Sequence, residues 1–252
     1  MHRIRKIIYL TIIFIVQLIM MLFIATGCIG PEGPEGPKLT GELTGYAGLV
    51  SNDGILLPDR SGILVEVEGT SFSSTTDPTG RYFISGLVSG TYTLSWTKSG
   101  YGIQKHMGYQ FVGGGRTFHE LIFLGEIPLY TAQINVRPTI GSDQVTISGS
   151  FNGIGNLADR RIRLFFGSTE NVSFDPYLNI FSVYGQGSAS SWTINLPLIN
   201  IRRLGVASGT TIWIIAYSDS WISSFYTDIE TGKKVFPDIN PYPSARFNFI
   251  LP

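Results

Sequence analysis

The sequence predicts an all-β protein: two tandem β-sandwich domains behind an N-terminal lipoprotein-type signal. Three observations carry that prediction. Val, Ile, Thr, Tyr and Phe fill short runs separated by Gly, Asn, Asp and Pro clusters, which is the composition of strands and turns. Several of these runs alternate apolar and polar residues with period two, and past residue 28 none repeats them at helical spacing. Charged residues make up 14% of the 252-residue chain against 30 glycines and 13 prolines, so turn chemistry rather than charge punctuates it.

The first element is residues 1–27. Arg3, Arg5 and Lys6 form a basic start, and residues 7–25 are an apolar run interrupted only by Thr11 and Gln17. A basic n-region, an apolar h-region and a small-residue cut site define a secretory signal. The run also approaches the about 20 residues that span a bilayer. An uncleaved anchor with its basic end in the cytoplasm is therefore the rival reading. Cys28 favours cleavage. It is the single cysteine, too few for an internal disulfide or a thiolate metal site. It closes Ala25-Thr26-Gly27-Cys28, which resembles the lipobox of bacterial lipoproteins. That resemblance implies a cut before Cys28 and acyl chains on it. Each buried methylene contributes ~0.8 kcal/mol, and two chains anchor stably. Both readings place everything after residue 28 outside the cytoplasm. In enterobacterial lipoproteins an aspartate after the cysteine resembles an inner-membrane retention signal; Ile29 stands there instead, so the resemblance leans toward the outer membrane. Residues 28–39 repeat Gly-Pro-Glu too few times for a collagen helix and read as an extended tether.

The first domain is expected over residues 40–127. Residues 45–50 read as a strand and Ser51-Asn52-Asp53-Gly54 as its turn. Ile63, Val65 and Val67 alternate with Leu64, Glu66 and Glu68, giving one buried face and one wet face. Asp77-Pro78-Thr79-Gly80 is a second turn, and a lone carboxylate there reads as turn closure rather than as a calcium ligand. Strands follow over 81–84 and 91–96. The ring of Tyr82 and that of Tyr92 are expected in the core with their hydroxyls at the rim. Residues 104–112 and 117–124 read as a hairpin around Gly113-Gly114-Gly115, because the phosphate-binding pattern Gly-x-x-x-x-Gly-Lys is absent.

Gly48, Asp53-Gly54, Val65-Glu66-Val67-Glu68-Gly69-Thr70, Thr76-Asp77-Pro78-Thr79-Gly80-Arg81-Tyr82-Phe83-Ile84 and Gly90-Thr91-Tyr92-Thr93-Leu94 together resemble the carboxypeptidase regulatory-like domain. The match is close over residues 44–101 and weaker to 125. It implies a seven-stranded, transthyretin-like sandwich. Its matched residues are turn formers and core positions, and none of them is catalytic.

The second domain is expected over residues 128–252, with strands near 131–137, 144–151, 161–166, 177–185, 191–196, 210–219 and 245–251 and a connection at 198–204. Seven short strands at this spacing read as an immunoglobulin-like or fibronectin type III-like sandwich. Residues 209–217 are similar to the penultimate strand of fibronectin type III-like domains. If Ile212, Ile214 and Ala216 face its core, Trp213, Ile215 and Tyr217 line the other face. That stripe is either a contact surface or is covered, by the first domain or by a loop such as 221–226.

The function classes narrow accordingly. Losing Arg3, Arg5 and Lys6 with the signal leaves the mature chain mildly acidic, with no basic stripe for nucleic acid. No Gly-x-Ser-x-Gly is present, and acidic neighbours such as Glu66 and Glu68 read as a solvated strand face. His106 and His119 are the two mature histidines, too few for a zinc site unless carboxylates from elsewhere complete it. Neither an enzyme, nor a metal, nor a cofactor is expected. Trp192, Trp213, Trp221, Phe225 and Tyr226 are the aromatic set available to stack on a sugar ring, with Asp228, Glu230, Asp238 and Asn240 nearby as polar partners. Packing in the core is the commoner role for such aromatics. The layout as a whole resembles small cell-envelope lipoproteins of the Bacteroidetes type, several of which accompany outer-membrane glycan uptake. It implies a non-catalytic lipoprotein held in the envelope through Cys28. Its expected partner is a polysaccharide, as an accessory of an outer-membrane uptake system, or alternatively another envelope protein in assembly or adhesion.

Overall fold

Period-two alternation builds the first sandwich from β1 (Thr40–Val50), β2 (Leu64–Val67), β3 (Ser73–Thr75), β4 (Arg81–Val88), β5 (Gly90–Thr97), β6 (Gln104–Phe111), β7 (Arg116–Phe118) and β8 (Ile122–Gly125). The computed structural model describes residues 14, 17, 36–153, 159–174, 181–188 and 190–252. Cys28, its cut site and most of the 28–39 tether lie outside the described residues. Among the described residues no helix is long and apolar enough to cross a membrane. The chain divides into two units, Met1–Pro37 and Lys38–Pro252, and both sandwiches belong to the second.

In one sheet β4 pairs antiparallel with β1, while β7 and β8 both run parallel to β1. The other sheet has the order β3-β2-β5-β6. Leu43, Ala47, Leu49, Val65, Val67, Ile84, Leu94, Trp96 and Leu124 fill the space between them. Four local expectations change. The strand at 81–84 runs on to Val88 because Gly86, at φ +75°, absorbs a bulge opposite Gly41 and Glu42. The triple glycine is not a hairpin loop: β6 pairs with β5 and β7 with β1, so the loop crosses between the sheets. The expected closing strand splits into β7 and β8, leaving His119, Glu120 and Leu121 between them. The Tyr82 hydroxyl is buried against Gly45 rather than reaching the rim, and burial raises its pKa. Tyr92, in contrast, donates to the Val88 carbonyl at 2.8 Å. Asp77 closes its turn by accepting from the amides of Thr79 and Arg81.

The second sandwich comprises β9 (Tyr130–Ile134), β10 (Thr139–Ile140), β11 (Gln144–Gly153), β12 (Asp159–Gly167), β13 (Phe181–Ser188), β14 (Ser191–Pro197), a five-residue helix α1 (Leu198–Arg202), β15 (Thr211–Asp219), β16 (Tyr226–Thr227), β17 (Lys234–Val235) and β18 (Phe247–Ile250). One sheet is β10-β11-β14 with β9 also on β11, and the other is β13-β12-β15-β18. Ile147, Trp192, Ile162, Leu164, Phe166, Ile212, Ile214 and Ala216 are among the core between them. The helix α1 replaces the expected connection, with Leu198 and Ile201 buried.

The outer face of β15 is covered. Ile215 and Tyr217 form a second cluster with Phe165, Val172, Phe236 and Ile239, and Trp213 packs against it, half-buried. The cover comes from Phe236 and Ile239 of a strap over residues 220–240 and from Val172 and Phe174, rather than from the 221–226 loop or the first domain. The same strap ties the two sandwiches together. Gln104 Nε2 donates to Ser224 Oγ at 2.6 Å, and Asp238 and Trp221 pack against Gly102 and Gly54. Within the second sandwich, Asn240 Nδ2 donates to the carbonyls of Pro128 and Tyr130 at 2.8 and 3.0 Å.

Candidate functional site

Alternation along β12 sends Ile162, Leu164 and Phe166 into the core, so Arg161, Arg163 and Phe165 point to the opposite face. Pairing puts Tyr184 beside Arg163 and Ser182 beside Phe165 on that face. The strap covers one part of it with Phe236 and leaves the rest open. Between strap and sheet lies a pocket of about 550 Å³, lined by Arg163, Ser182, Tyr184, Trp221, Ile222, Ser223, Phe225, Lys234 and Phe236. That is within the size range of small-molecule sites.

A buried network forms its floor. Arg163 Nε donates to Asp219 Oδ2 at 2.8 Å, with the arginine side chain 8% and the aspartate 1% exposed. The Ser223 hydroxyl bridges the pair, donating to Asp219 Oδ2 at 2.6 Å and accepting from the Arg163 guanidinium. That guanidinium lies 4.2 Å over the Phe236 ring. Ser223 has φ 47°, the one non-glycine in the left-handed region among the described residues. A conformation of this kind costs about 1–3 kcal/mol and persists only where its surroundings hold it. The Ser223 backbone N–H, donating to Ser220 Oγ at 3.0 Å, and the Arg163–Asp219 pair do so here. The Arg163 charge is therefore spent internally. Lys234 is the exposed cation at the rim, 3.9 Å over the Phe225 ring.

The candidate aromatics divide. Trp221 and Phe225 line the pocket. Trp221 is wedged against Gly54 of the first sandwich and has the Arg161 guanidinium 3.8 Å over its ring, so it shapes the wall. Phe225 is 46% exposed and Tyr184 is 40% exposed. Tyr226 stands on β16, paired with Val235, outside the lining. Trp192 is a core residue over Gly149, its Nε1 donating to the Ser150 carbonyl, and it has no free ring face. Trp213 packs under the strap cluster. Of the candidate polar partners, Asp238 is buried against Gly102 of the first sandwich, Asn240 is buried against Pro128 and Tyr130 at the start of the second, and Asp228 closes the β16–β17 turn by accepting from the Glu230 amide. Sequence reasoning missed Arg163, Ser182, Tyr184, Lys234 and Phe236. The alternation of Arg161, Arg163 and Phe165 against Ile162, Leu164 and Phe166 was the available signal for Arg163.

A second cluster lies on the first sandwich. His106 Nδ1 and His119 Nε2 are 2.9 Å apart, and the ligand atoms of His106, His119 and Glu120 all lie within 4.8 Å of one another. Burial, reinforced by His106, holds the His119 imidazole below its usual pKa, although its contact with the Glu120 carbonyl opposes this.

No protein-family model matches the chain, and no curated protein matches it either. Several solved structures are similar in shape. A candidate carbohydrate-binding protein from Bacteroides uniformis aligns over 84% of this chain and 100% of its own, at 13% identity and a TM-score of 0.33. A DUF3823 family protein from the same organism aligns over 86% and 100%, at 13% identity and a TM-score of 0.32. A type II cohesin–X-dockerin complex from Acetivibrio cellulolyticus aligns at 22% identity and a TM-score of 0.30, over 34% of this chain and 58% of the matched chain's length. At these scores the likenesses carry no argument about function.

Proposed function

We propose that the protein is a non-catalytic, membrane-anchored binding module of the cell envelope whose pocket takes a glycan. One observation carries the reading: exposed ring surface and hydrogen-bonding groups share a single concavity. Tyr184 and Phe225 offer that ring surface, and Ser182, Ser223 and Lys234 line the same pocket. A sugar has the matching character, an apolar ring face for stacking and a perimeter of hydroxyls. The ionised pair Arg163–Asp219 is committed to itself and to Ser223, which suits a rigid floor better than acid–base work.

The test is a glycan array followed by affinity electrophoresis on the retained polysaccharide. Phe225→Ala and Tyr184→Ala should each weaken retention at least tenfold, or about 1.4 kcal/mol, with the circular dichroism spectrum unchanged. Retention by both variants at the wild-type level overturns the glycan reading.

The anchoring reading rests on Ala25-Thr26-Gly27-Cys28. Mass spectrometry of the mature N-terminus should find an acylated Cys28, and Cys28→Ala should release or mislocalise a protein that still folds. An unprocessed variant still held in the membrane returns the decision to the uncleaved helix.

A second reading, an assembly or adhesion protein with an envelope protein as partner, is favoured by the outer face of the β1 sheet. Tyr46, Phe83, Phe118 and Phe123 are all at least 37% exposed there. The two readings part on the same experiment: a blank array with a protein recovered by co-purification selects the second.

A further inference from the structure

We propose that His106, His119 and Glu120 form a binding site for a divalent transition-metal ion of the zinc class, independent of the pocket on the second sandwich. The sequence reads these residues onto the two strands of one hairpin; the fold instead puts them at the edges of different sheets, where their side chains meet. His106 sits on β6, the edge strand of one sheet, paired with the fully buried Leu94 of β5. His119 and Glu120 occupy the break between β7 and β8 at the edge of the other sheet. The backbone amide of His119 donates to the Thr44 carbonyl at 2.8 Å, which fixes the break against β1.

His119 is prepared as a ligand. Its side chain is buried, and its Nδ1 lies 2.9 Å from the backbone carbonyl of Glu120. A carbonyl only accepts, so Nδ1 carries the proton and Nε2 presents its lone pair. That arrangement, one ring nitrogen donating to a carbonyl and the other free, is how metal-bound histidines are oriented. The lone pair points at His106 Nδ1, 2.9 Å away, with the two rings at 72°. Without a metal, a single proton on His106 Nδ1 joins the pair. Two nitrogens bound to one zinc ion at about 2.0–2.1 Å sit roughly 3–3.4 Å apart, so the spacing of the hydrogen-bonded pair is close to that of a ligand pair. Binding needs His106 to present a lone pair at Nδ1 in place of its proton, and both rings to turn until their lone pairs converge on the ion.

Glu120 supplies the third donor from the solvent side and offsets the charge of the ion. Trp96 and Tyr109 wall the other side, with ring centroids 4.8 and 5.2 Å from that of His119. Three protein ligands with an open fourth position, two of them imidazole and one carboxylate, suit Zn²⁺ and also Cu²⁺ or Ni²⁺.

The experiment is a titration of the full chain with ZnCl2 against a chromophoric chelator, followed by histidine-selective 15N NMR. One equivalent of Zn²⁺ should bind and shift His119 Nε2 and His106 Nδ1, and the thermal midpoint should rise with added Zn²⁺. Glu120→Gln, at an exposed position that leaves the fold intact, should weaken binding at least about tenfold, the scale seen when groups around a metal are removed. His106→Gln should abolish the stoichiometric binding. No uptake by the wild type, or uptake unchanged in both variants, overturns the site. In the first case the histidines are a hydrogen-bonded pair only, and in the second the ion binds elsewhere.

Discussion

Asp238 is the residue whose surroundings are least ordinary. It is fully buried, with Oδ2 accepting from the hydroxyls of Ser220 and Ser224, while Oδ1 lies against Gly102 of the first sandwich without a hydrogen-bond partner. Burial raises its pKa above 3.8, and the serine bonds only partly oppose that. The folded state therefore favours the protonated acid. The stability this contributes is fully present below pH 3.8 and is lost as pH rises through the raised value, at about 1.4 kcal/mol per unit traversed. Asp59 and Asp77 act in the opposite sense. Hydrogen bonds in their turns lower both carboxyls, so their contribution is lost on acidification below 3.8. The two effects occupy different windows. His119, held below 6.5, adds stability as pH rises toward that value, so the contribution of Asp238 is read as a difference: in urea denaturation at a series of pH values above 3.8, Asp238→Asn should gain more stability with rising pH, or lose less, than the wild type. Equal slopes in the two proteins would refute the assignment.

At the scale of elements, the strands with clean alternation were readable and the devices that interrupt them were not. Ile63, Val65 and Val67, like Ile212, Ile214 and Ala216, show their buried face in sequence because period two maps directly onto one side of a sheet. Gly86 reads as a turn glycine although it carries a bulge, because a positive φ serves both and only the partner strand distinguishes them. The split between β7 and β8 had no local signal, since Thr117 to Leu124 is continuously strand-like and the break follows from pairing with β1. The candidate pocket was legible through Trp221 and Phe225 alone. Trp192 carries the same side-chain chemistry as Trp221, and what separates them is Gly149, whose missing side chain opens a core slot for the Trp192 indole. Arg163 lies in a strand that reads as amphipathic, yet its partner Asp219 stands 56 residues away and was invisible to spacing arguments.

Over the whole molecule the decisive element is the strap at 220–240, because it belongs to the second sandwich by sequence and to both by contact. It roofs the outer face of β15, forms one wall of the pocket, and sets Trp221 and Asp238 against Gly54 and Gly102 of the first sandwich. The buried Gln104 side chain of the first sandwich is the clearest single tie, its Nε2 donating to Ser224 Oγ of the strap at 2.6 Å. A buried acceptor that loses its donor costs about 1–3 kcal/mol. Side chains that lock two cores together also make the unfolding of one felt by the other. Residues 38–252 should therefore unfold in a single calorimetric transition. Gln104→Ala should lower its midpoint by several degrees, since 1 kcal/mol corresponds to about 2–4 °C at this size, and should broaden or split the transition as the sandwiches uncouple. Two resolved transitions in the wild type, or an unchanged midpoint in Gln104→Ala, would show that the strap merely rests on the first sandwich. The pocket wall would then be free to move with the strap, and glycan binding would no longer depend on a rigid Phe225.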